Sequence, residues 1–270
     1  MPLLLAFLVT LLAGLSTCVG GWLGTQTRVL RRDVLAAALA FAAGVMITIS
    51  VVEIAPSALV DLGHLVGEGA ARWWVGGALI VGALSVVAVD RVIPHSINPA
   101  EIGGGEQLDR INAGQVDARL LRSGVLLATV VALHNLPEGL ATFVATLKEP
   151  SGGITLAVAI AIHNVPEGLA VAAPIYAATR SKVQALLWAS VSGLAEPVGG
   201  LLGYLLLSAV LPDEWMVISL ALVAGMMLAV SFLELLPAAR RYQTHHTQPL
   251  IGFFLGAVVM VLSLQLLGQG

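Results

Sequence analysis

The sequence predicts an all-α integral membrane protein in which eight transmembrane helices are related by inverted repeats. The first observation is composition: 58% of the 270 residues are hydrophobic and only 11% are charged, a balance typical of membrane proteins. The second is a series of eight apolar stretches, each long enough to cross a bilayer as a helix. The third is that two motifs each occur twice, in stretches predicted to run in opposite directions.

The eight spans are apolar windows of roughly 17–25 residues. The first begins near the N-terminus and is longer than the apolar core of a signal peptide, so it is assigned as a transmembrane helix. In chain order, the predicted spans cover about 2–24, 34–58, 73–90, 122–147, 153–178, 183–211, 215–238 and 249–267.

The basic residues predict the orientation. Of the 13 Lys and Arg residues, 11 lie in the loops after spans one, three, five and seven, and Arg72 and Lys148 lie on the other side. Cytoplasmic loops carry the excess of basic residues, so these odd loops are predicted to be cytoplasmic and both termini to lie outside. The predicted location is the inner, or plasma, membrane.

The longest connection, residues 91–121, contains a Pro- and Gly-rich stretch at 97–105. This composition predicts a flexible cytoplasmic loop between spans three and four. It is not a domain boundary, because neither flank could bury its polar faces alone. Residues 1–270 are therefore predicted to form a single transmembrane domain.

Several function classes are disfavoured by what the sequence lacks. The single cysteine, Cys18, excludes an intrachain disulfide framework and a multi-thiolate metal site. No basic stripe interleaved with aromatic residues is present, so nucleic acid is not a predicted partner. No Walker loop, Rossmann glycine pattern or Ser/His/Asp order appears, so neither an enzyme nor a bound cofactor is predicted.

The most specific pattern is the motif His-Asn-x-Pro-Glu-Gly, which occurs at 134–139 and 163–168 in spans four and five. Each copy places a His and a Glu at i and i+4, on one face of a helix, with an Asn beside the His. Each proline frees the carbonyl four residues earlier from its helical partner. The sequence thus predicts a cation site formed by His134, Asn135, Glu138, His163, Asn164 and Glu167.

A second repeat relates span two to span seven. Residues 44–58 align with 225–239 at an offset of 181, with six of fifteen positions identical, including a Glu-x-x-Pro pattern. The derived topology makes these two spans antiparallel, as it does spans four and five. Paired spans of this kind predict an inverted-topology repeat, which in transporters places the substrate near the midplane.

The ionisable residues inside the spans are the remaining functional candidates, because a carboxylate at the bilayer centre costs ~3 kcal/mol or more. Beyond the duplicated motif, Glu196 in span six is such a candidate. Glu53 and Glu234 lie nearer the ends of their spans, where they line an entrance or a proton path, or are only packed against polar partners.

The ligand types narrow the choice of ion. Imidazole with carboxylate and no thiolate suits divalent metals such as Zn²⁺, Fe²⁺ or Mn²⁺, whereas Ca²⁺ prefers six to eight oxygens. An intramembrane metalloprotease would need His-Glu-x-x-His on one helix. Here each helix has one His and a proline in the ligand turn, so catalysis is not predicted.

These residues resemble the ZIP (Zrt/Irt-like) family of divalent-metal transporters, in its prokaryotic ZupT- and GufA-like branch. The resemblance is carried by the doubled His-Asn-x-Pro-Glu-Gly motif, by residues 192–197 in span six and by residues 51–56 in span two. With eight spans, outside termini and a variable third loop, it covers essentially the whole chain.

The resemblance implies import of divalent metal into the cytoplasm, with Zn²⁺ as the first candidate substrate and Fe²⁺, Mn²⁺ and Cd²⁺ as further ones. It implies a binuclear-type site between spans four and five, and an elevator-like motion of spans one, four, five and six. The first metal would bind His134, Glu138, His163 and Glu167, with Met46 of span two added. The second would bind Asn135, Asn164 and Glu196, with Glu138 and Glu167 bridging.

Two departures from the family pattern are visible. Several relatives have Gln-Asp where this chain has His163-Asn164, so its second site is expected to be less acidic. The third loop holds only His95, so metal capture by that loop is not expected. The pair His245-His246 is interpreted as a solvated turn.

Three points stay open at this stage. A selective divalent-metal channel would use the same residues as an alternating-access carrier. A non-transporting metal sensor would need a cytoplasmic output module, and no loop is long enough to be one. Small-residue faces would allow a homodimer, but such faces also occur inside monomers.

Overall fold

The computed structural model describes residues 2–26, 32–92, 118–208 and 212–267, and this part of the chain is helical, without strands. It contains eight helical rods that match the predicted spans within a few residues, apart from longer ends on several of them. They are α1 (Pro2–Gly24), α2 (Arg32–Ile49, Ser50–Ile54 and Ala55–Val66), α3 (Glu68–Val92), α4 (Ala118–Lys148), α5 (Pro150–Thr179), α6 (Lys182–Ser208), α7 (Asp213–Val230, Ser231–Leu235 and Leu236–Tyr242) and α8 (Thr247–Leu267).

Within the residues that the structure describes, seven of these rods, α1 to α3 and α5 to α8, are long and apolar enough to cross a membrane. The fourth predicted span lies inside α4, whose 31 residues extend over about 46 Å at 1.5 Å per residue. Of the predicted loop 91–121, residues 93–117 lie outside the described part. Its two ends are helical, because α3 continues to Val92 and α4 begins at Ala118.

The tight connection between α4 and α5 follows from its sequence. Glu149 caps α5 by accepting hydrogen bonds from the backbone N–H groups of Ser151 and Gly152. Pro150 occupies the first helical position, where its missing N–H is not needed. The two motif-bearing helices are therefore joined by a single capping residue.

The other end of α5 is at Arg180. Its φ of 54° is left-handed, and its N–H donates to the carbonyl of Tyr176.

Each of α2 and α7 contains one π-helical turn, which the sequence reading did not predict. The turns are Ser50–Ile54 and Ser231–Leu235, and they are related by the same offset of 181 as the sequence repeat. In each, the first serine donates to the carbonyl four residues earlier, at 2.7 Å in α2 and 2.8 Å in α7. A proline follows two residues after each turn, and its missing N–H is a reason for the regular ladder to break there.

The helices pack in two sets of close pairs. In one set α1 lies along α5 and α6 lies along α4; in the other α2 lies along α8 and α7 lies along α3. Glycines permit the close approach, since a Cβ at Gly20 would overlap the carbonyl of Val165, and a Cβ at Gly199 would overlap that of Leu136. The largest apolar cluster lies between the sets and includes Met46 and Ile49 of α2.

Candidate metal site

The histidines and glutamates of the duplicated motif pair across the two helices. His134 Nε2 lies 3.2 Å from Glu167 Oε1, and His163 Nε2 lies 3.4 Å from Glu138 Oε2. Each histidine of one helix therefore contacts the glutamate of the other. Since α4 and α5 stay helical through Pro137 and Pro166, the i, i+4 spacing places both pairs at one level of the bundle.

The side chains of the two asparagines form hydrogen bonds with the neighbouring helices α1 and α6. Asn135 Nδ2 donates to the carbonyl of Ser192 at 2.9 Å. Asn164 Nδ2 donates to the carbonyl of Ala13 and to Glu196 Oε1, both at 3.1 Å. The structure thus brings Glu196 of α6 to the α4–α5 motif.

All seven polar residues of the predicted site are buried, with His134 the most exposed at 7%. In the described part of the chain, every buried side-chain oxygen without a hydrogen-bond partner lies on α1, α4, α5 or α6. A buried, unsatisfied oxygen costs about 1–3 kcal/mol, and a cation would satisfy several at once. These oxygens are Thr17 Oγ1, Asn135 Oδ1, Glu138 Oε1, Asn164 Oδ1, Glu167 Oε2 and Glu196 Oε2.

The side chains are joined in pairs rather than arranged around one point. Within the described ranges, no three His, Cys, Asp or Glu side chains are placed so that they could hold a metal ion together. The polar contacts are instead the two His–Glu pairs and the asparagine hydrogen bonds. Binding of a metal would have to exchange His–Glu contacts for metal contacts.

Met46, the predicted span-two ligand, is fully buried in the large apolar cluster that also contains Ala159 and Ile160 of α5. Glu53 and Glu234 occupy equivalent places in the π-helical turns of α2 and α7, where both are half-buried. The hydroxyl of Ser57 lies 3.5 Å from Glu53 Oε1.

Thr17 of α1 also has a buried oxygen without a partner, and its position is related to that of Glu196 by a third sequence repeat. Residues 13–24 of α1 align with residues 192–203 of α6 at an offset of 179, with seven of twelve positions identical, and Thr17 aligns with Glu196. Ionisable residues stand out in apolar segments, whereas a hydroxyl at an equivalent position does not.

Fold and site together define a class: a helical membrane protein whose buried polar groups suit a divalent cation. Comparison with known proteins identifies the family. The sequence model described as ZIP Zinc transporter matches residues 107–264. The chain is 44% identical over 267 residues to the zinc transporter ZupT of Corynebacterium efficiens, covering 98% of this chain and 97% of the relative.

Two further relatives are also zinc transporters. The chain is 44% identical over 263 residues to the zinc transporter ZupT of Chlorobium limicola, covering 97% of each protein. It is 39% identical over 274 residues to that of Clostridium perfringens, covering 97% of this chain and 96% of the relative. The chain therefore belongs to the ZIP zinc transporter family, which confirms the resemblance and makes it a membrane transporter rather than an enzyme.

Proposed function

We propose that this protein imports divalent metal into the cytoplasm, with Zn²⁺ as its principal substrate. The single observation that carries the proposal is the cluster of buried oxygens without partners around two His–Glu pairs. Asn135, Glu138, Asn164, Glu167 and Glu196 each contribute one such oxygen. The relatives at 39–44% identity are described as zinc transporters, and the donor set suits zinc.

The proposed binding step starts from the two His–Glu pairs. A metal ion takes His134 and His163 as imidazole ligands and Glu138 and Glu167 as bridging carboxylates. Asn135, Asn164 and Glu196 form the second position, which is less acidic than it would be with an aspartate in place of Asn164. Fe²⁺, Mn²⁺ and Cd²⁺ are further substrates, because affinities of such N/O sites for these metals overlap.

The proposed topology has eight spans with both termini outside, in the inner or plasma membrane. The contacts support an inverted repeat of spans one to three with six to eight, and of span four with five. Asn164 bonds the carbonyl of Ala13, and Asn135 bonds that of Ser192. Both pairs are related by the sequence offsets of 29 and 179.

The same inverted repeat relates the pair α3–α7 to the pair α8–α2. A Cβ at Gly82 would overlap the carbonyl of Leu222, and a Cβ at Gly256 would overlap that of Phe41. Leu222 and Phe41 are separated by the offset of 181 that relates spans two and seven. Residues 1–270 are proposed to form one transmembrane domain, with residues 91–121 as its cytoplasmic connection.

The proposed mechanism is alternating access with an elevator-like displacement. The site lies within the group α1, α4, α5 and α6, and the group α2, α3, α7 and α8 forms its frame. The pairing of helices within each group supports this division. Where the groups meet at α2 and α5, the contact is mainly apolar, so sliding there breaks few hydrogen bonds.

The test is metal flux into proteoliposomes that contain the purified protein. Zn²⁺, Fe²⁺, Mn²⁺ and Cd²⁺ uptake is measured for the wild type, Glu138→Ala and Glu167→Ala, with Glu68→Ala as a control at an exposed carboxylate paired with Arg72. We expect saturable, strongly temperature-dependent Zn²⁺ uptake that both site variants lose and the control retains. Non-saturating flux would support a channel instead. Uptake that survives both site substitutions would contradict the proposed pathway.

A further inference from the structure

We propose that the hydroxyl of Thr17 in α1 is a ligand of the metal site. Thr17 is the equivalent in α1 of Glu196 in α6. This inference rests on the proposed metal site. Thr17 is fully buried, and its Oγ1 has no hydrogen-bond partner in the protein. None of the sequence motifs that indicate the site contains it.

The equivalence of Thr17 and Glu196 follows from backbone contacts as well as from the sequence alignment. A Cβ at Gly168 of α5 would overlap the carbonyl of Thr17, and a Cβ at Gly139 of α4 would overlap the carbonyl of Glu196. Gly139 and Gly168 are the matching glycines of the duplicated motif. Thr17 therefore bears the same relation to α5 as Glu196 bears to α4.

The side chains of this pair lie at one helix crossing. A Cβ at Gly14 would come within 2.9 Å of Glu196 Oε2, and a Cβ at Gly193 would come within 3.2 Å of Thr17 Oγ1. Since Gly14 and Gly193 face each other, both unsatisfied oxygens lie beside the same contact. The remaining unsatisfied oxygens belong to the asparagines and glutamates of the site itself.

The reason that Thr17 keeps its hydroxyl available lies one turn earlier. A buried threonine in a helix ordinarily donates to the carbonyl four residues before it, as Thr10 does to Ala6 at 2.8 Å. For Thr17 that acceptor is the carbonyl of Ala13, which already accepts from Ser16 Oγ at 2.6 Å and from Asn164 Nδ2 at 3.1 Å. That carbonyl also lies in the backbone ladder of α1, so it has no free lone pair for the Thr17 hydroxyl.

The consequence is an asymmetric site. The two halves supply matched His, Asn and Glu groups from α4 and α5, but α6 adds a carboxylate where α1 adds a hydroxyl. A hydroxyl oxygen is a neutral, hard ligand, so Thr17 completes the coordination of a divalent metal without a further negative charge. It thereby helps to set the preference among metals.

The test compares metal selectivity in proteoliposomes for Thr17→Val, Thr17→Ser and Thr17→Cys. Matched controls are Thr10→Val and Thr10→Cys, at a buried threonine on the same helix whose hydroxyl is bonded to the backbone. We expect Thr17→Val to raise the KM for Zn²⁺ about tenfold, the size of effect that loss of a supporting group has at metal sites. Thr17→Ser keeps the hydroxyl and should stay near the wild-type KM.

Thr17→Cys gives the most direct readout, because a thiol favours soft metals. We expect it to lower the KM for Cd²⁺ relative to that for Zn²⁺, while Thr10→Cys leaves the ratio unchanged; native Cys18 is present in both. An unchanged ratio in Thr17→Cys, or equal losses in Thr17→Val and Thr17→Ser, would overturn the inference. If Glu138→Ala loses Zn²⁺ uptake but the Thr17 variants are unaffected, only this inference is overturned. If the wild type itself shows no uptake, the proposed function is overturned.

Discussion

Gly14 of α1 and Gly193 of α6 face each other so closely that a Cβ on either would overlap the carbonyl oxygen of the other. They are equivalent residues under the offset of 179 that relates the two helices. A contact between equivalent residues is expected where a pseudo-two-fold axis passes. Asn164 of α5 and Asn135 of α4 bond to the carbonyls of the residues that precede these glycines, Ala13 and Ser192.

This crossing should not tolerate any side chain. We predict that Gly193→Ala lowers the free energy of unfolding by about 1–3 kcal/mol, the usual cost of overpacking. The control is Gly76→Ala, in α3, where nothing lies within 4 Å of an added Cβ, and its stability should be unchanged or higher by up to about 1 kcal/mol. Unfolding in a titrated denaturing detergent measures the stability of both variants. A Gly193→Ala variant as stable as the wild type would contradict the close crossing of α1 and α6.

Asn164 is predicted to hold the site together when no metal is bound, because its Nδ2 donates to both Ala13 and Glu196. Asn164→Asp removes both donated bonds and places a carboxylate beside Glu196. We therefore expect a lower melting temperature without metal and a larger increase on addition of Zn²⁺ than the wild type shows. A thermal melt with and without Zn²⁺ measures both values. A metal-free melting temperature equal to that of the wild type would contradict this role.

Met46 tests whether α2 contributes to the site. Met46→Leu keeps the volume of the fully buried side chain, so it should cost less than about 1.5 kcal/mol in stability. It removes the thioether, which is a soft ligand. If Met46 reaches the metal, the KM for Cd²⁺ should rise relative to that for Mn²⁺. Equal KM changes for both metals would assign Met46 to packing alone.

Glu149 gives a pH-dependent prediction outside the spans. Hydrogen bonds from the Ser151 hydroxyl and then from the backbone N–H groups of Gly152 and Ser151 hold the pKa of Glu149 below its ordinary value of 4.5. A depressed pKa means that this cap stabilises the start of α5 above the ordinary pKa. The stabilisation is lost as pH falls through the lower, folded-state pKa.

Carbon-13 NMR of the Glu149 carboxyl group measures this titration directly. The midpoint should lie below 4.5 in the wild type and move upward in Ser151→Ala, which removes the largest cause of the shift. A wild-type midpoint at or above 4.5 would show that the capping hydrogen bonds do not form in solution.

The sequence predicted the helices well because the bilayer requires long, uniformly apolar segments. It also predicted the polar residues of α4, α5 and α6, since ionisable groups stand out against an apolar background. It did not predict the π-helical turns at Ser50 and Ser231, because these depend on a proline, a serine and local packing together. The unsatisfied hydroxyl of Thr17 could not be predicted, because a threonine in a helix ordinarily donates to its own backbone. Only the structure shows that the Ala13 carbonyl already accepts from Ser16 and Asn164.

The side-chain contacts within the candidate site could also not be predicted from the sequence. The motif spacing placed His134 and Glu138 on one face of α4 and predicted that the groups of α4 and α5 meet, but it did not predict which side chains contact each other. In the structure each histidine contacts the glutamate of the opposite helix. Cross-helix pairing depends on the distance and rotation between α4 and α5, which the glycine contacts with α1 and α6 determine.

The central claim is that the paired His–Glu groups of α4 and α5 bind the transported metal, and a zinc-binding isotherm of the purified protein tests it most directly. We predict saturable binding by the wild type and by Glu53→Gln, and a loss of affinity of about 100-fold or more in the double variant Glu138→Gln/Glu167→Gln, beyond the range seen for supporting groups. Gln keeps the size of each side chain while removing its charge. Binding of Zn²⁺ by the double variant with the affinity of the wild type would contradict the account.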